Sequence, residues 1–394
     1  MLKAFKLAEL SHTPFQRHSG TASEDILTRA SFAAAIEEIT AWEGYKATPL
    51  HSLRSLAAEL GIDDVLYKDE GPRFDLGSFK ALGGAYAAGR VLQRELTKKI
   101  GTPVKLADIR SGRYASEVKE ITLVSATDGN HGRSLAWGAQ RFGAACNIYI
   151  HESVSEGRAE SMRQLGANVI RIDGDYDASV HLARKEADQN GWFVVSDTSW
   201  EGYQAPPLDV MAGYGVMTKE ITNQMEAPPT HVFLQGGVGG LAASVCAALR
   251  QHWGQDAPHV IIVEPNHAAC LFESAQSDEM RSVKIIEETI MAGLSCGEPS
   301  PLGWKILREE ASDFVKISDN LVPPSMRLLA NPLGSDPSVE GGESAVAGLA
   351  AAISIALNPK LRDHFQFDKN TKILLIGSEG ATDRVLYEKI MTNE

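Results

Sequence analysis

The sequence predicts an α/β protein built on parallel sheet, and three observations carry that prediction. Short β-branched or aromatic runs alternate with longer helix-compatible runs over most of the chain, the pattern of βαβ units. A glycine-rich segment, Gly236-Gly237-Val238-Gly239-Gly240, follows one such run and opens a helix-like stretch. With 394 residues, 43% of them hydrophobic and 23% charged, the chain is too long for one ordinary core, so two domains are expected.

In chain order, residues 1–45 are polar and mixed, with one helix-like stretch over Ala30 to Trp42. Leu53 to Leu60 reads as a short helix that Gly61 ends as a C-cap. Val65 to Glu70 is strand-like, and Ala81 to Leu96 reads as a helix. Gly101 to Glu120 is a charged excursion expected to be solvated. Strands are expected over Ile121–Ser125, Asn147–His151, Asn168–Ile172 and Trp192–Ser196. Helices should separate them over Gly132–Phe142, Glu156–Leu165 and Ala178–Gln189. Gly202 to Pro207 reads as a crossing point between domains, followed by a helix over Val210–Met225. The strands His231–Gln235, His259–Val263 and Lys372–Ile376 complete the pattern, with a helix over Leu241–His252. Ser344 to Leu357 is weakly polar, too short for a bilayer, and reads as a buried helix.

The net charge of −13 argues against nucleic-acid binding, because phosphate backbones attract basic surfaces. It leaves room for one small anionic cofactor held by backbone N–H groups. The first residues, with Lys3, Lys6 and Glu9, lack the apolar block of a secretory signal, so a cytoplasmic chain is expected, with no membrane partner. Four cysteines do not make a disulfide framework. Cys146 and Cys246 lie in apolar runs, whereas Cys270 and Cys296 sit near turn signals and could pair near a site mouth. No Cys or His cluster has zinc spacing, so no metal is expected.

The candidate chemistry starts at Ser78-Phe79-Lys80. Lys80 stands at the start of a helix-like run, where the positive end of the macrodipole favours the neutral, nucleophilic amine that Schiff-base lysines need. A surface lysine at a loop end is the alternative. The loop 236–240 can turn backbone amides toward an anion at a helix N-terminus. Such loops also serve dinucleotides, and Glu264, in the next strand-like run, keeps that reading open. Asp128, Asn130 and Asp197 follow strand-like runs, where α/β sites lie. Each could also be a turn or helix cap.

Thr48-Pro49-Leu50, Lys68-Asp69-Glu70 and Ser78-Phe79-Lys80 occur in that order. They resemble the opening of the fold-type II pyridoxal-phosphate (PLP) enzymes. Residues Ser78 to Ala87, Asp128-Gly129-Asn130-His131-Gly132-Arg133, Asp197-Thr198-Ser199-Trp200-Glu201-Gly202-Tyr203 and Gly377-Ser378-Glu379-Gly380 are more specifically similar to the diaminopropionate ammonia-lyases. The resemblance runs from about Thr48 to about Asp383. It implies two three-layer parallel-sheet domains with the active site in the cleft between them. The boundaries it suggests are a large domain of residues 1–84 and 206–394 and a small inserted α/β domain of residues 85–205.

The resemblance further implies that Lys80 bonds PLP and that the amide of Asn130 meets the phenolate oxygen. Gly236, Gly237, Val238, Gly239 and Gly240 would hold the phosphate, and the Ser378 hydroxyl would lie against the pyridine nitrogen. A hydroxyl there leaves the ring a weaker electron sink than an aspartate would, which suits β-elimination better than transamination. A helix N-cap is the other role open to Ser378. Lys80 and Asp128 would be bases on opposite faces of the substrate Cα. Asp197 would bind the distal ammonium or assist proton transfer. Trp200, Glu201 and Tyr203 are further pocket candidates, and His131 and Arg133 are expected to support their loop. Glu340-Gly341-Gly342-Glu343-Ser344 departs from the family's serine-rich form at that place.

The implied reaction is α,β-elimination of 2,3-diaminopropionate, D or L, to pyruvate and ammonia. Elimination or replacement on serine, threonine or hydroxyaspartate is the alternative within the class. A degenerate nucleotide-binding α/β protein is the alternative outside it. The resemblance also implies a homodimer.

Overall fold

The computed structural model describes residues 2–127, 129–174 and 176–392. The chain divides into two compact units. The first comprises residues 1–29, 47–78 and 217–394, and the second residues 30–46 and 79–216.

The first unit is built on a seven-stranded sheet. Its order is Ser11–Pro14, Asp313–Ile317, His259–Pro265, His231–Gln235, Lys372–Gly377, Asp64–Asp69 and Leu50–Ser52. The five inner strands run parallel. The two outermost are antiparallel to their neighbours, so the sheet is mixed rather than wholly parallel. These edges are short and polar, which is why periodicity does not reveal them. The inner strand Asp313–Ile317 adds to the expected ones, its Phe314-Val315-Lys316-Ile317 run being aromatic and β-branched between polar turn residues. His231–Gln235 is buried at every residue, as a parallel inner strand should be. The helix Ala347–Leu357 is buried along all but its last residue, as the weakly polar run predicts, and packs with Phe233, Ile261, Ile373 and Leu375 of the sheet. Gly61 ends the helix Arg54–Leu60 with φ +64°, the expected left-handed cap.

The second unit carries a four-stranded, all-parallel sheet in the order Asn168–Arg171, Ala145–Ile150, Thr122–Ala126, Phe193–Val194. Two long helices, Lys80–Ile100 and Asn130–Phe142, cross at close range because glycines face the contact. A Cβ on Gly138 would lie 2.6 Å from Ala85 Cα, and one on Gly84 would lie 2.6 Å from Ser134 Oγ.

Residues 30–46, expected in the first unit, fall in the second. The cause is packing: Trp42 meets Trp137 and Phe142 edge-on, and Phe32 fills the space that a Cβ on Gly215 would need. The charged excursion after Gly101 is not simply solvated. It forms the helices Leu106–Arg110 and Ala115–Val118, which bury Leu106, Ile109 and Val118. Among the described residues, no helix is long and apolar enough to cross a membrane.

A buried ionic cluster braces the first unit. Glu220 accepts from Lys68 Nζ at 2.7 Å, from both terminal nitrogens of Arg73 at 2.8 Å, and from Thr48 N at 3.1 Å. Glu70 takes the other side of Arg73 at 2.7 and 2.8 Å. Lys68 and Glu70 are fully buried and Arg73 nearly so. The Lys68-Asp69-Glu70 run thus alternates between this cluster and Asp69, whose Oδ1 accepts from Gly71 N.

Candidate active site

Lys80 is the first residue of the helix Lys80–Ile100. Its Nζ lies 2.5 Å from Asp197 Oδ2, and both side chains are about one-fifth exposed. Burial alone would raise the Asp197 carboxyl. The Lys80 ammonium, with His131 beside it, overrides that and holds it well below the usual carboxylate range. The Lys80 amine thus meets this carboxylate as well as the positive end of the helix that it begins.

Asp197 follows the strand Phe193–Val194. His131, second in the helix Asn130–Phe142, is tied by Nε2 to Val195 O at 2.9 Å. Its Nδ1 has no hydrogen-bond partner within the protein and lies 3.9 Å from Asp197 Oδ2. His131 therefore supports its surroundings as expected, through the segment that carries Asp197. Asn130 is the first residue of the same helix and is half-buried. Asp128 lies outside the described residues.

The remaining candidates lie in the first unit. Gly236 to Gly239 follow the strand His231–Gln235, and Gly240 opens the helix Gly240–Trp253. Gly237 and Gly239 have φ of +57° and +94°, a backbone only glycine adopts freely. The first N–H groups of that helix have no carbonyl of their own helix to meet. A Cβ on Gly236 would lie 2.5 Å from Glu264 Cγ. The result is a narrow, glycine-rich turn at a helix N-terminus, with Val238 as its one side chain beyond hydrogen, which fits a phosphate.

Ser378 is buried and follows the neighbouring strand Lys372–Gly377. The pairing of Leu375 with Phe233 sets it at the same carboxyl edge of the sheet as the glycine turn. Gln235 fastens these elements: its Nε2 donates to Ile376 O at 2.6 Å and to the carbonyls of Ser344 and Ala345 at 3.2 Å. The next helix begins at Arg384, so Ser378 is not its N-cap. The Glu340-to-Ser344 run packs here, with Glu379 Oε1 accepting from Ser344 N at 3.1 Å.

One expectation is corrected. Glu264 does not await a ribose: its oxygens accept from Leu271 N at 3.1 Å and Phe272 N at 2.7 Å, at the start of the helix Cys270–Ser277. Burial pushes its carboxyl up to about 8. Its raised value means that folding is favoured by this group below about 4.5, and that the contribution is lost as pH rises through about 8. Glu264→Gln is therefore expected to remove this group's loss of stability between about pH 4.5 and pH 8, as read by melting curves.

The Tyr203 hydroxyl donates to Val194 O at 2.9 Å and accepts from Ser196 N at 3.0 Å, so that group braces the chain. Its ring stacks on Trp200 at 3.9 Å, with the Arg184 guanidinium over Trp200 at 3.6 Å. Tyr214 was not anticipated. It is buried against Phe79, and Gly83 has no room for a Cβ beside it. The paired glycines at 83 and 84 in a helical run were the available signal for this close packing.

None of the four cysteines is in a disulfide. Cys270 Sγ lies 3.5 Å from Gly237 O, and a Cβ on Gly237 would lie 3.7 Å from Cys296 Sγ, so both flank the glycine turn unpaired to each other.

Residues 41–378 match the family described as "Pyridoxal-phosphate dependent enzyme". The chain is 39% identical over 354 residues to the diaminopropionate ammonia-lyase of Escherichia coli strain K12, covering 88% of each chain. It belongs to the diaminopropionate ammonia-lyase family of PLP-dependent enzymes. The structure agrees. The crystal structure of Escherichia coli diaminopropionate ammonia-lyase in complex with an aminoacrylate-PLP azomethine reaction intermediate matches with a TM-score of 0.87 and 34% identity, over 98% of this chain and 97% of that one. The complex of the same enzyme with D-serine matches equally well, with a TM-score of 0.87 and the same identity and coverage. The fold is accordingly that of the fold-type II PLP enzymes.

Proposed function

We propose that the chain eliminates ammonia from 2,3-diaminopropionate with PLP as cofactor, and that Lys80, Asn130, residues 236–240 and Ser378 hold that cofactor. The observation that carries this reading is the Lys80–Asp197 pair: an amine at a helix start beside a carboxylate that stays ionised. Family membership supports it. Bound PLP supplies the electron sink for charge that develops at the substrate Cα.

The protein's own groups then have distinct tasks. Lys80 accepts the Cα proton on one face, and Asp128 is the proposed base on the other. Asp197, held ionised beside the Lys80 ammonium, is placed to attract that ammonium or the distal ammonium of the substrate. His131 holds the segment on which Asp197 sits. The Cα–H and Cβ–N bonds break, and the nitrogen leaves as ammonia. Water then converts the three-carbon enamine to pyruvate and a second ammonia.

A hydroxyl leaving group would gain nothing from an ionised Asp197, so serine and threonine are expected to be poorer substrates. Incubation with D- and L-diaminopropionate separately should give two ammonia per pyruvate. No pyruvate from either enantiomer, or faster turnover of serine, would overturn the reading. Asp128→Asn should lose about 10²–10⁴-fold in turnover of the D-isomer while the L-isomer persists. Intact D-isomer turnover removes Asp128 from the mechanism.

The proposal extends to a homodimer, for light scattering to check, and to a cytoplasmic location. Four unpaired cysteines accord with a reducing compartment, and cell fractionation checks it.

A further inference from the structure

We propose that His12, Asp313 and His364 form a binding site for a divalent transition-metal ion, for which zinc is the best match. The three residues come from distant parts of the first unit. His12 lies in the edge strand Ser11–Pro14, Asp313 opens the adjacent strand Asp313–Ile317, and His364 ends the helix Pro359–His364. Each offers one ligand atom, and these atoms lie within 4.8 Å of one another.

Several features go beyond chance proximity. Asp313 is 3% exposed and is set among imidazoles, and among the described residues no lysine or arginine is bonded to it. Its Oδ1 meets His364 Nε2 at 2.9 Å, and its Oδ2 meets His259 Nε2 at 2.6 Å. The His12 and His364 rings are 4.7 Å apart, and the buried Nδ1 of His12 has no hydrogen-bond partner within the protein.

Two imidazoles and one carboxylate form a donor set that zinc accepts, with a fourth position left for water. Ligands at about 2.1 Å in a tetrahedron stand about 3.4 Å apart, so the side-chain ends must close by roughly an ångström. His364 is one-third exposed at a helix end and is free to make that move. His259 would remain on the second carboxylate oxygen, orienting the ligand from outside.

The site lies at the amino ends of the parallel strands, because Asp313 and His259 begin theirs. The glycine turn and Ser378 lie at the carboxyl ends. Five residues of strand at about 3.3 Å each separate the two edges by roughly 17 Å. A metal here would therefore not touch the cofactor-binding residues. It would tie an early strand and a late helix to one inner strand and raise stability.

The test uses the holoenzyme, stripped with a chelator and titrated with zinc chloride. Wild type should retain one zinc per chain after gel filtration, measured by mass spectrometry, and its melting temperature should rise. His12→Ala and His364→Ala should lose both the zinc and the rise while keeping their PLP content. His259→Ala should bind about 10–100-fold more weakly. His267→Ala, on another surface, should match wild type. In a measurement that needs no variant, zinc should protect His12 and His364 of wild type from diethylpyrocarbonate. Unchanged zinc content in the His12 and His364 variants, absent zinc in wild type, or unprotected modification of these two histidines would each overturn the proposal.

Discussion

Lys80→Ala is expected to lower turnover of diaminopropionate by about 10³-fold or more, the upper range for losing a positioned proton carrier. Its amine is proposed both to bond the cofactor and to take the Cα proton, so one truncation removes two functions. The side chain lies at the first turn of a helix and is partly exposed, so the fold has little packing to lose there. Melting temperature should consequently change far less than rate. Borohydride treatment of wild type should fix the cofactor on a peptide that contains residue 80, and the variant should yield no such peptide. Added methylamine should restore part of the rate by supplying a diffusible base. A label on any other lysine would remove the account of the site given above.

Glu220→Ala is expected to destabilise the protein by about 3–5 kcal/mol, because it strands the two cations that Glu220 neutralises. Lys68 has no exposure and Arg73 is 1% exposed, so water cannot replace the lost carboxylate. Glu70 would still meet Arg73 and attract Lys68, but the hydrogen bonds left to Lys68 Nζ would be to neutral groups, the Thr48 carbonyl at 2.7 Å and Gln224 at 3.1 Å. The pH dependence has a definite sign. Burial alone would raise Glu220, yet the Arg73 and Lys68 contacts hold it below its ordinary 4.5. Its contribution is therefore complete above about pH 4.5 and is lost as pH falls through its lower folded value. Urea titrations at pH 7 should show the loss as a lower midpoint at similar slope. Wild type taken below pH 4 should approach the variant. Equal midpoints at pH 7 would mean that the cluster relaxes around the gap.

The legible parts of this fold were local ones. Strand and helix periodicity finds His231–Gln235 because every residue there is buried, and Gly61 marks a helix end because only a left-handed backbone fits. The glycine run at 236–240 is visible for the same kind of reason: its chemistry is in the backbone. Lys80 is legible from its place before a helical run, and Asp197 from its place after a strand. Their ion pair spans 117 positions, and no periodicity reports it. The edge strands escape because three or four polar residues carry no pattern. Glu264 misleads because an acid near a glycine turn looks the same whether it faces a ribose or caps a helix. The His12, Asp313 and His364 cluster defeats any rule based on local spacing, since its members lie about 300 or more positions from His12 and about 50 from each other.

The short outermost strands of the first unit have a consequence for association. Sheets with long, bare margins recruit further chains through their main chain and so seed fibrils. Here one margin is four residues long and ends in Pro14, which has no N–H to offer, and the other is three residues long. Continuous strand addition to this sheet is therefore discouraged at both of its ends.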